Sequence, residues 1–108
     1  MLARVVEGTI KGGKKRDVIN IVQSELVPLL EKQPGFVAHE TMSRQNDPNY
    51  ALATTYWRTQ EEAERCYSSP AYTNLLNRLA PLFHSDIRPV LYTVEVSTTQ
   101  RIVFGKAA

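Results

Sequence analysis

The sequence has a single cysteine, Cys66, so no intrachain disulfide framework can form. Its histidines are two, His39 and His84. Neither has an acidic neighbour at ligand spacing, which is poor ground for a metal site. The formal net charge is only +2 and the basic residues are scattered. A nucleic-acid footprint would be a basic stripe, and only Lys14-Lys15-Arg16 comes close; that run reads as the exposed first turn of a helix. Gly12-Gly13-Lys14 lacks the strand–GxxxxGK[ST]–helix context of a phosphate loop. No apolar run reaches membrane-spanning length. Met1-Leu2-Ala3-Arg4 leads straight into a short apolar run without a signal peptide. The expectation is a soluble, cytoplasmic protein with no nucleic acid and no membrane among its partners.

What is present fits one globular domain. A chain of 108 residues with 43% hydrophobic residues can bury a single core. The most informative stretch runs from Ala51 to Tyr72. Tyr50, Leu52, Thr54 and Tyr56 alternate with Ala51, Ala53, Thr55 and Trp57, a period of two that suits a half-buried strand. Thr59 and Glu62 then form a Thr-x-x-Glu capping box, and Ser69-Pro70 is a second helix start.

The rest falls into place around this stretch. Leu2 to Ile10 reads as a first strand. Val18, Ile21, Val22, Leu26, Leu29 and Leu30 recur at helical spacing, with Pro28 predicting a kink or a local break near Glu25. Gln33-Pro34-Gly35 ends that helix. Phe36 to Arg44 is a second strand, with Val37, His39, Thr41 and Ser43 on one face and Phe36, Ala38, Glu40 and Met42 on the other. Gln45 to Asn49 is a turn that makes an antiparallel hairpin with the third strand. Leu75, Leu76, Leu79, Leu82 and Phe83 share a helix face that Pro81 disturbs at its end. Ile87 to Ser97 is a fourth strand. Residues 1–97 form the domain and 98–108 a tail, in which Arg101 to Phe104 could add a strand. The order βαββαβ implies an α+β, ferredoxin-like fold: a four-stranded antiparallel sheet with helices on one face. The other face, partly apolar, favours packing against a second copy.

Four segments in this order resemble the antibiotic biosynthesis monooxygenase (ABM) superfamily of dimeric α+β barrels. They are Val27-Pro28-Leu29-Leu30 with Gln33-Pro34-Gly35-Phe36, the turn Asn46-Asp47-Pro48, Trp57-Arg58-Thr59-Gln60-Glu61-Glu62-Ala63, and Ser68-Ser69-Pro70-Ala71-Tyr72. The resemblance covers Leu2 to Ser97. It implies a homodimer in which each subunit has a pocket between sheet and helices for a small apolar or aromatic molecule. It further implies a cofactor-independent monooxygenase acting on a small aromatic or quinol-type substrate, needing neither metal nor flavin. A non-catalytic small-molecule-binding or stress-related dimer is the alternative. The heme-degrading branch carries an Asn on the first strand, a Trp after the third and a His near the next helix. Glu7 or Gly8, Cys66 and Leu76 stand at those places here, so heme degradation is not implied.

The expected catalytic residues are His39, Trp57 and Tyr72, with Tyr56, Phe83 and Leu76 lining the pocket. Each has a plainer reading. Trp57 could be a core anchor, and His39 could face solvent or a dimer interface. The tyrosines could be ordinary packing with their hydroxyls at the surface. Tyr72 is the best single pocket residue, because the helix start at Ser-Pro-Ala-Tyr covers the pocket mouth in relatives. Arg58 reads as the partner of a nearby Glu, His84 as a helix-end histidine, and Cys66 as a half-buried, unreactive thiol.

Overall fold

The computed structural model describes residues 1–98. Its elements are β1 (Leu2–Thr9), α1 (Lys15–Ile21), a π-helical turn (Val22–Leu26), α2 (Val27–Glu31), β2 (Phe36–Arg44), β3 (Asp47–Trp57), α3 (Gln60–Tyr67), α4 (Pro70–Leu79), a 3-10 turn (Ala80–Leu82) and β4 (Val90–Thr93). The sheet is four-stranded and antiparallel, in the order β2-β3-β1-β4. This is the ferredoxin-like α+β arrangement expected from the element order. Residues 99–108, most of the expected tail with its candidate strand, lie outside the described residues.

Pro28 disturbs the helix near Glu25 as expected, but as a π-helical widening and not a break. It has no N–H to offer the preceding turn, and the ladder widens just before it: the Val27 N–H bonds Val22 O, five residues back. The helix stays continuous and still delivers Val22, Leu26 and Leu30 to the sheet. Pro81 likewise tightens the end of α4 into the 3-10 turn.

Three local expectations are corrected. The hairpin turn is tighter than predicted: Gln45 and Asn46 form it, and Asp47 and Pro48 already belong to β3. The fourth strand is shorter, Val90–Thr93 rather than Ile87 to Ser97. Pro89 cannot donate to a ladder at its start. At its end β1 begins at Leu2, and the last pairing bond is Val94 N–H to Met1 O at 3.0 Å. Phe36 does not share a face with Ala38. A bulge between Phe36 and Ala38 sets Phe36 opposite Trp57, and the two rings meet edge-on at 5.9 Å and 78°.

The register sorts the strand residues onto two faces. Arg4, Val6, Ala51, Ala53, Thr55, Trp57, His39 and Thr41 face the helices. Val5, Leu52, Thr54, Tyr56, Glu40, Met42 and Tyr92 alternate onto the other side. The core under the helices holds Leu26, Leu30, Trp57, Ala63, Cys66, Tyr72 and Leu75. Trp57 is fully buried at its centre. Burying an indole removes about 200 Å² of surface, worth on the order of 5 kcal/mol.

The caps form as predicted, with one change. The Glu62 N–H donates to Thr59 Oγ1 at 3.2 Å and the Tyr72 N–H to Ser69 Oγ at 3.3 Å. The Glu62 carboxylate does not reach back to a backbone donor. It accepts from the Thr59 hydroxyl and from Arg58, each at 3.0 Å, so Arg58 is the surface ion-pair residue expected of it. Gly35 lies against this cap with φ of 85°, where a Cβ would stand 2.3 Å from the Glu62 side chain.

Candidate functional site

A cavity of about 150 Å³ lies between the helix-facing side of the sheet and the helices. Its wall is mostly apolar: Val6, Ala51 and Ala53 from the sheet, Val18, Val22, Leu26 and Leu30 from the helical run before β2, with Leu76, Leu79 and Phe83 from α4 and its end. The polar groups in the wall converge from three strands and two helices. They are Arg4 on β1, His39 and Thr41 on β2, Thr55 on β3, Tyr67 on α3 and Tyr72 on α4; Glu7 on β1 also borders the cavity, but it is exposed and its carboxylate accepts from the Tyr50 hydroxyl. Period-two alternation brings the strand residues together, and the Ser69-Pro70 start aims the first turn of α4 at them.

His39 is held between two hydroxyls. Its Nδ1 lies 2.8 Å from Thr55 Oγ1 and its Nε2 2.7 Å from Thr41 Oγ1. Burial pushes the imidazole pKa below its ordinary 6.5, only partly opposed by the neighbouring Glu40 carboxylate. The ring is therefore neutral at physiological pH, with one nitrogen free of a proton and able to accept one.

Tyr72 is nine-tenths buried. Arg4 Nη1 donates to its hydroxyl oxygen at 3.3 Å. Arginine has only donors, so the tyrosine's own proton remains available to another group. The Arg4 guanidinium also lies over the Tyr67 ring, 3.8 Å from its centroid. Tyr67 meets Tyr72 edge-on at 4.7 Å. Burial raises the Tyr67 pKa, so the hydroxyl stays protonated.

The residues expected from sequence divide cleanly. His39, Tyr72, Phe83 and Leu76 all border the cavity. Trp57 does not. It sits behind the wall as a core anchor and donates its indole N–H to the Tyr67 hydroxyl at 3.0 Å. Tyr56 is also outside, because alternation turns it to the opposite sheet face from Thr55 and Trp57. Cys66 is fully buried rather than half-buried, and burial raises its pKa, which leaves an inert thiol. Sequence reasoning did not single out Arg4, Thr41, Thr55 or Tyr67 as site residues. The signal for Arg4 was a charge in phase with Val6 on a strand whose one face is apolar.

Among the described residues, no three of His, Cys, Asp or Glu gather as a ligand set, and no helix is long and apolar enough to cross a membrane.

The family model for antibiotic biosynthesis monooxygenase matches residues 1–78. No curated protein sequence matches the chain. Solved structures do. One is a conserved protein from Methanosarcina mazei, with a TM-score of 0.78 at 14% identity over 87% of this chain and 92% of that one. SnoaB, a cofactor-independent oxygenase from Streptomyces nogalater, superposes with a TM-score of 0.78 at 18% identity, covering 90% of this chain and 95% of its own. A further antibiotic biosynthesis monooxygenase gives 0.77 at 19% identity over 89% and 100%. At these identities the structural likeness establishes the shared fold.

Proposed function

The chain belongs to the antibiotic biosynthesis monooxygenase family, and from that premise we propose that its cavity performs cofactor-independent monooxygenation of a small aromatic, quinol-type substrate. The observation that carries this reading is His39: a neutral, partly buried imidazole in the wall of an apolar cavity. A base whose pKa is lowered by burial is unprotonated at neutral pH and can take a phenolic proton. The cofactor-independent oxygenase among the structural neighbours supports the same reading.

In this mechanism the substrate hydroxyl gives its proton to His39 Nε2 through the Thr41 hydroxyl, which borders the same cavity. The Tyr72 hydroxyl donates to the negative oxygen that develops. The quinolate passes one electron to dioxygen, and the radical pair joins at a ring carbon to give a peroxide. The peroxide's O–O bond breaks with loss of water. One quinol and one dioxygen become one hydroxyquinone and one water, and the quinol supplies all four electrons. The leucines and valines exclude bulk water from the reactive intermediates.

The same chain is proposed to act as a homodimer. The sheet face away from the helices exposes Met42 at 47%, Val90 at 51% and Tyr92 at 54%. A second copy would cover these side chains.

One observation favours the alternative, a non-catalytic small-molecule-binding dimer: both ring nitrogens of His39 already have hydroxyl partners. Oxygen uptake separates the two. Chelator-treated protein is offered a panel of quinols, dihydroxynaphthalenes and anthrones in an oxygen electrode. Uptake of one dioxygen per quinol supports the oxygenase. Saturable binding without uptake supports the binding protein.

A further inference from the structure

Arg4 has an unusual place. Arg58 and Arg78 pair with Glu62 and Glu25 at the surface, and Arg44 lies over the Tyr50 ring 3.9 Å from its centroid. Arg4 instead is partly buried, on the helix-facing side of the central β1, in the wall of an otherwise apolar cavity. Among the described residues no carboxylate stands within ion-pair distance of it. Glu7, the carboxylate that also borders the cavity, accepts a hydrogen bond from the Tyr50 hydroxyl. The contacts that hold Arg4 are aromatic: the Tyr67 face at 3.8 Å, the Tyr72 ring at 5.7 Å and the Tyr72 hydroxyl at 3.3 Å.

A guanidinium partly withdrawn from water, with no carboxylate paired to it, is a ready partner for an anionic ligand. Arginine's planar fork matches a carboxylate, and stacking on Tyr67 fixes the plane of that fork. The cavity volume limits the rest of the ligand. An apolar cavity of about 150 Å³ is known to hold one benzene ring.

We propose that the site selects a single-ring phenol bearing a carboxylate, and that Arg4 is the residue that recognises the carboxylate. This rests on the monooxygenase reading for where the substrate sits and narrows its substrate class to a hydroxylated benzoate. The aromatic ring lies among the leucines and Phe83. The carboxylate pairs with Arg4, leaving the Tyr72 hydroxyl to the phenolic oxygen that faces His39 and Thr41.

The test is calorimetric binding under nitrogen at neutral pH, with 2,5-dihydroxybenzoate and its isosteric neutral amide as probes. The ligands differ in the charge on one substituent. Wild type is compared with Arg4→Gln and Arg4→Lys, each checked for thermal midpoint. The wild type binds the acid at least about tenfold more tightly than the amide. Arg4→Gln brings the two to equal affinity, and Arg4→Lys falls between because it keeps the charge and loses the fork. Should Arg4→Gln fail to fold, the wild-type preference and the Arg4→Lys value decide. Equal affinity in the wild type, an undiminished preference in the variants, or no saturable binding of either probe overturns the proposal. Acid preference without oxygen uptake would leave this inference standing and remove the oxygenase reading; uptake without acid preference does the reverse.

Discussion

Trp57 donates its indole N–H to the Tyr67 hydroxyl at 3.0 Å, and through that bond the buried tryptophan orients a residue of the cavity wall it does not itself reach. Trp57→Phe keeps most of the packing and loses the donor, so it costs about 2 kcal/mol, whereas Trp57→Ala costs about 4 kcal/mol. Both are read from urea unfolding midpoints. Turnover by folded Trp57→Phe falls less than that of His39→Gln. An equal loss would put Trp57 in the catalytic machinery after all.

The two threonine partners of His39 are neutral, and burial sets its pKa below 6.5. If unprotonated imidazole is the base, activity is flat at neutral pH and drops along a single acidic limb whose midpoint lies below 6.5. The same shift appears in stability. A histidine whose folded pKa is depressed contributes its full share above the unfolded value and loses it as pH falls through the folded one. His39→Gln removes that loss, so its melting temperature changes less than the wild type's between pH 7 and 5. An acidic limb centred above 6.5 would contradict the assignment.

Gly35 joins α2 to β2 at φ of 85°, with the Glu62 carboxylate where a Cβ would go. Gly35→Ala forces a left-handed backbone on alanine and displaces the cap of α3. The expected cost is about 2 kcal/mol. An unchanged denaturant midpoint would show that the turn refolds freely around the new side chain.

The exposed sheet face predicts assembly. Light scattering at micromolar concentration gives the mass of two chains for the wild type. Tyr92→Asp or Met42→Glu, placed at 54% and 47% exposed positions, shifts the mass to one chain while the fold persists. A wild-type monomer would refute the barrel.

Most of this architecture was legible because its signals are local. Alternation from Tyr50 to Trp57, the Thr59 and Ser69 caps, and Pro28 each act within one turn or one pleat, and each element formed where they pointed. What the sequence hid depends on partners. β4 ends where β1 begins, at Leu2, and the bulge at Val37 that moves Phe36 onto Trp57 leaves no mark in the residue pattern. The site was half legible for the same reason. His39 and Tyr72 were picked by chemistry and lie in the wall. Trp57 was picked by chemistry too, yet whether an aromatic lines a cavity or fills a core is decided by what packs against it. Its alternation partner Tyr56 belonged on the opposite face from Trp57 from the outset.

Isotopically labelled dioxygen tests the central claim most directly. Chelator-treated protein is incubated with a hydroxylated benzoate or unsubstituted quinol, and the product is weighed by mass spectrometry. Cofactor-independent monooxygenation places one labelled oxygen in the product for each dioxygen consumed. Folded His39→Gln then runs at about one-hundredth of the wild-type rate. Absence of label from every quinol product, or an undiminished rate in folded His39→Gln, would contradict it.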